Sequence, residues 1–110
     1  MALRTVAEVS DLLDGLGLPN TNLKWRGASP PPLPYAVLVP HESRHQYADG
    51  GVFSEAFAYD VELYTQEFDG RLNGAVSSAL RDAGIAFSRD TFADEENQYC
   101  VTYFSMTLAE

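Results

Sequence analysis

Residues 52–65 read VFSEAFAYDVELYT, and their alternation decides the fold. Phe57, Tyr59, Val61 and Leu63 fall on one side of an extended chain, while Ala56, Ala58, Asp60 and Glu62 fall on the other. Side chains of a strand point alternately to its two faces, so the pattern predicts a strand with one buried and one wetter face. Such a sheet needs a second layer to cover its apolar side.

Working toward the N-terminus, HESRHQYADGG (41–51) is a polar connection with a turn at Asp49-Gly50-Gly51. Before it, YAVLV (35–39) reads as a strand, led in by SPPPLPY (29–35). Proline fixes its own φ and extends the residue before it, which makes that lead stiff and non-helical. NLKWRG (22–27) reads as a short strand anchored by Trp25. Residues 5–16 read as a helix with Val6, Val9, Leu12, Leu13 and Leu16 on one stripe. Thr5 and Glu8 fit a capping box, and Gly15, Gly17 and Pro19 close the segment.

Toward the C-terminus, residues 69–83 read as a second helix. Asp69 is its N-cap, Gly84 its stop, and Leu72, Val76, Ala79, Leu80 and Ala83 its stripe. IAFSR (85–89) reads as a short strand, DTFADEEN (90–97) as an acidic turn, and QYCVTYFSMTL (98–108) as a long final strand. On that last strand Cys100, Phe104, Met106 and Leu108 share a face. The expected fold is α+β in the order α-β-β-β-α-β-β: a largely antiparallel sheet of four to five strands packed by two helices, forming one domain over residues 1–110. Val61 and Leu63 are expected against Leu12, Leu13, Val76 and Leu80.

Charge narrows the function. The net charge is −9, from 16 acids against seven basic residues, and Arg4, Lys24, Arg26, Arg44, Arg71, Arg81 and Arg89 never cluster in sequence. A duplex-binding surface needs a basic patch to neutralise phosphates, so tight DNA binding is not expected. No apolar run approaches the roughly 20 residues of a membrane helix. The N-terminal segment reads as a helix of the fold, not a signal peptide, which makes cytoplasmic synthesis the default. Cys100, the single cysteine, reads as a small packed hydrophobe.

One motif imitates chemistry. His41-Glu42-Ser43-Arg44-His45 spells H-E-x-x-H, the zinc-peptidase signature. That chemistry needs both histidines one turn apart on a helix, a glutamate to activate the metal-bound water, and a third protein ligand. Here the motif follows a strand, has no apolar stripe to dock a helix, and the chain holds no further histidine. It reads as a chance spelling in a solvated loop, with no metal, cofactor or catalytic residue expected. Asp94-Glu95-Glu96 lacks the alternating ligands of a calcium loop and reads as a solvated turn. Asp60 and Glu62 read as acids on a wet strand face.

The residues expected to act do so by contact. A twelve-residue polar connection (41–52) is long for a hairpin, and loops of that length are usually functional or disordered. Glu42, Ser43, Arg44, Tyr47 and Asp49 lie in it. Tyr64, Tyr99 and Tyr103 fall on the outer faces of their strands, where tyrosine offers apolar area with a polar tip.

PPPLPYAVLVPHES followed by QYADGGVFSEAFAYDVELYT resembles a family of small tail-terminator or head–tail joining proteins of long-tailed bacteriophages and prophages. Ala83-Gly84-Ile85, Phe87, Asp94-Glu95-Glu96 and Tyr99-Cys100-Val101-Thr102-Tyr103 extend the likeness over nearly the whole chain. The histidines of the 41–45 loop depart from the family pattern. The resemblance implies a ring of identical subunits, usually six-fold, that caps the tail tube and docks it to the neck or connector protein. DNA would pass through the lumen without specific binding. It places the protein in the virion, at the tail–neck junction, after assembly in the bacterial cytoplasm. Two other classes stay open: a non-phage protein-binding module or inhibitor of similar architecture, and a zinc metallopeptidase using His41, Glu42 and His45.

Overall fold

Thr5 starts the first helix as the capping box requires: its Oγ1 accepts the Glu8 N–H at 3.1 Å, and Glu8 Oε1 accepts the Thr5 N–H at 3.0 Å. In the computed structural model, which describes residues 3–23, 30–40 and 56–109, α1 spans Val6–Gly15. Helix α2 spans Gly70–Asp82, with Asp69 as N-cap accepting the Leu72 N–H at 2.9 Å. Both helices end in the same way. Gly17 and Gly84 take φ of 72° and 77°, a region costly for any residue with a Cβ. This lets the next amides turn back, Leu18 onto the Leu13 carbonyl and Ile85 onto the Leu80 carbonyl. Those four apolar side chains are all buried in the core, the hydrophobic contact that accompanies this helix ending.

The strands are β1 (Asn20–Asn22), β2 (Tyr35–Pro40), β3 (Ala56–Thr65), β4 (Phe87–Asp94) and β5 (Tyr99–Ala109). They form one five-stranded sheet in the order β1-β2-β3-β5-β4, antiparallel except for the parallel β1–β2 pair. The α+β class and the α-β-β-β-α-β-β order are as the sequence predicts. Ala36 and Leu38 of β2, Tyr59, Val61 and Leu63 of β3, and Phe104, Met106 and Leu108 of β5 form one cluster with Val9, Leu13, Val76 and Leu80 of the helices. Leu12 packs against it from the edge. Both helices therefore cover the same side of the sheet.

Two local expectations need correction. Strand β4 does not stop at Arg89; it runs to Asp94 and pairs with β5 as far as Tyr99, so most of DTFADEEN is strand and not turn. The acids misled because an edge strand can expose nearly every side chain, and β4 does. The first strand is Asn20–Asn22, sharing Asn22 with NLKWRG, whose residues 24–27 lie outside the described residues; it holds its place by parallel pairing with Ala36, Val37 and Leu38. Trp25 and residues 52–55 lie outside the described residues. On α2 the expected stripe meets the core through Val76 and Leu80, with Leu72 and Ala83 packed against it, and Asn73 and Ser77 are buried beside them. Asn73 Nδ2 donates to the Asp69 carbonyl at 2.9 Å, and Ser77 Oγ accepts from Arg89 Nη1 at 3.1 Å.

Candidate functional site

Because Tyr59, Val61 and Leu63 point to the helices, Asp60, Glu62 and Tyr64 must point away from them. The register carries that opposite face across four strands. Tyr35, Val37 and Val39 of β2 lie opposite Tyr64, Glu62 and Asp60. On the other side of β3, Val101, Tyr103 and Ser105 of β5 lie opposite the same three residues. Phe92, Asp90 and Asp94 of β4 then face Val101, Tyr103 and Tyr99. Among the described residues no helix covers this face, and two independent features follow on this helix-free side: a cluster of aromatic rings and a row of carboxylates.

The rings are in contact. Tyr35 and Tyr64 stack with centroids 5.1 Å apart, Tyr64 meets Tyr99 edge-on at 5.3 Å, and Phe92 meets Tyr103 edge-on at 5.7 Å. These are the offset and T-shaped arrangements that the ring quadrupoles favour. Val37 and Val101 are buried on the same face, although neither belongs to the main core. Phe92 is 57% exposed, a large apolar side chain left in water on a strand otherwise rich in polar residues.

The carboxylates are held in place. The Tyr64 hydroxyl donates to Glu62 Oε1 and the Ser105 hydroxyl to Asp60 Oδ1, each at 2.6 Å. Asp94 accepts from the Asn97 amide and side chain, both at 3.0 Å, and so closes the turn before β5. Burial raises the Tyr64 phenol well above its ordinary value, and the bond and charge of Glu62 raise it further. Tyr99 is raised by burial and then by Asp94, and Tyr103 by burial and then by Glu62 and Asp60. These phenols stay neutral, and Tyr64 spends its one O–H on Glu62, so the rings present mainly their faces and edges.

No lysine or arginine joins them on this face among the described residues. Arg89 belongs to β4 but lies on the helix side, bonded to Ser77. A surface of neutral phenols and anchored carboxylates fits guanidinium groups of a partner, through ring stacking and charge-assisted hydrogen bonds.

Tyr64, Tyr99 and Tyr103, named from sequence as contact residues, come together here, all half-buried. Glu42, Ser43, Arg44, Tyr47 and Asp49, and with them His41 and His45 of the zinc-like spelling, lie outside the described residues. Asp60 accepts from the Ser105 hydroxyl and Glu62 from that of Tyr64. Asp90 and Phe92 are missed from sequence because the acidic run 90–97 reads as a turn. The signal was present in the alternation of Arg89, Thr91 and Ala93 with Asp90, Phe92 and Asp94. Cys100 is half-buried on the helix side, opposite Thr65 and Ala93. Among the described residues no three metal-ligating side chains gather, and no helix is long and apolar enough to cross a membrane.

The family described as tail completion protein gp17 matches residues 1–101. No curated protein matches the chain.

Proposed function

The chain belongs to the tail completion protein gp17 family and is a structural protein of a phage tail; from that premise we propose that it is a tail terminator subunit. Identical copies form a closed ring, most simply six-fold, that caps the tail tube and docks it to the neck protein. The match over residues 1–101 carries this reading. The helix-free face supports it, since a ring subunit works through rigid surfaces that meet other proteins, and aromatic side chains are enriched at the centres of such contacts. The protein acts without a cofactor and without catalysis. Its net charge of −9 suits a lumen through which DNA slides without sticking, because like charge repels the phosphate backbone. Assembly takes place in the host cytoplasm, and the mature ring resides at the tail–neck junction of the virion.

The experiment is reconstitution. Tails grown without this protein are mixed with the purified chain and imaged by electron microscopy. Rings at the tube's end, together with joining to filled heads, support the reading. Tubes that stay uncapped and unjoined in the presence of folded protein refute it.

A further inference from the structure

The described arginines divide unevenly between the two sides of the sheet. Arg4 is occupied: its Nη1 binds Glu8 at 2.8 Å and its Nε the Ala83 carbonyl at 3.0 Å. Arg71 and Arg81 of α2 and Arg89 of β4 are exposed and form no ion pair with any described residue. Arg81 follows Ser77 by four residues, so it lies on the same flank of α2. Arg89 reaches that flank from β4 through its bond to Ser77. Asp82 is the one acid on α2 itself. The opposite surface carries Asp60, Glu62, Asp90 and Asp94 among tyrosines, with no basic residue described there.

We propose that the helix-free sheet face of one copy receives the arginine-bearing flank of α2 and β4 from the next copy. This rests on the ring reading and adds to it the pair of surfaces that meet. The surfaces are opposite in charge and lie on opposite sides of the same domain. Such a subunit joins head to tail, the kind of contact that closes into a ring when the rotation is right. Guanidinium groups stack on phenol rings and bind carboxylates in a planar fork, which Tyr103 offers with Glu62 and Asp90 on either side of it. Two sheet faces meeting each other would instead set these acids against their own copies, and like charges opposed across an interface are strongly disfavoured.

The test is a charge swap in the full chain. One variant carries Glu62→Arg and Asp90→Arg; the other carries Arg81→Glu and Arg89→Glu. Assembly is followed by sedimentation, and folding by the cooperativity of the thermal melt. Each variant alone should need roughly 100-fold more protein to assemble than wild type, as opposed like charges imply. Mixed one to one they should assemble again, because every contact in an alternating ring is then complementary. The same four changes in one chain should also assemble. Should either pair unfold the domain, Asp90→Arg and Arg81→Glu, both at exposed positions, give the same comparison with a smaller shift. Variants that assemble like wild type, or a mixture that stays monomeric, overturn the proposed contact and leave the ring intact. Loss of assembly in the acidic-face variant with none in the arginine variant means that two like faces meet, which also overturns it. Wild-type protein that stays monomeric alone and on tail tubes removes the ring reading, and this contact with it.

Discussion

Ser105 and Asp60 lie directly opposite each other on β5 and β3, and the serine hydroxyl donates to the aspartate at 2.6 Å. One step along the same pair of strands, Glu62 stands opposite Tyr103 and takes the Tyr64 hydroxyl at 2.6 Å. Two carboxylates of this face are therefore held in place by neutral hydroxyls.

That arrangement predicts a loss of stability in alkali. Tyr64, Tyr99 and Tyr103 have phenols raised by burial and by neighbouring acids. A group with a raised folded value binds its proton more tightly when folded. Its stabilisation is complete below the unfolded value, about pH 10, and is lost as pH climbs through the folded values. The urea midpoint should fall steadily above about pH 10, together with the rise of phenolate absorbance. Tyr64→Phe should cost about 1 kcal/mol at neutral pH and flatten the alkaline fall. A midpoint that is level into strong alkali would show that the phenols ionise freely in the fold.

Leu63 tests the core. It is 1% exposed on the helix side of β3, in one cluster with Leu13, Val76 and Leu80. Leu63→Ala should lower unfolding free energy by about 2–5 kcal/mol, as large-to-small changes in cores do. The neighbouring Glu62→Gln, on the other face, should cost well under half of that. Chemical denaturation of both variants makes the comparison, and equal losses would contradict the assigned faces.

His41 and His45 should be dispensable. With no third ligand expected beside them, purified protein should hold no stoichiometric zinc and should cleave no peptide. Replacing both by alanine should leave the melting temperature and tail capping unchanged. One zinc per chain by elemental analysis, with unfolding on chelation, would reverse this expectation.

The 41–52 connection carries the remaining contact residues named from sequence, Glu42, Ser43, Arg44, Tyr47 and Asp49. Replacing residues 43–50 with a short Gly-Asn turn that keeps strand register should leave cooperative melting intact but abolish ring formation or tail capping. Shortened protein that still assembles and caps tails would reduce this segment to a connector.

What could be read from sequence follows how strongly each residue's neighbours constrain it. The period-two run from Phe57 to Leu63, the Thr5–Glu8 box and the glycines after each helix are local signals, and the structure matches them at Tyr59, Glu8, Gly17 and Gly84. The start of β1 escapes because asparagine is a poor strand former; at Asn20 and Asn22 the parallel partner Ala36–Leu38 supplies the pairing. The far half of β4 escaped for the related reason that an edge strand buries little. The candidate face was half legible: alternation put Tyr64, Tyr99 and Tyr103 outward. That Tyr35 stacks on Tyr64, and that Asp90 joins Glu62 around Tyr103, depends on strand order and register, which no single segment encodes.

Strand order also bears on how the protein is made. Strand β5 is the last of the described elements in the chain, yet it lies between β3 and β4. Until it leaves the ribosome, β4 has no partner at all, and β3 exposes a ten-residue edge to any other nascent chain. The anchors of the N-terminal segment are equally late: Ala109 N–H donates to the Arg4 carbonyl at 2.9 Å. Sheet completion therefore waits on the last described strand and is driven by contacts of high sequence separation, which form slowly. The subunit is most open to mispairing before that pairing, and a truncation within β5 should send the chain to aggregates instead of a smaller fold.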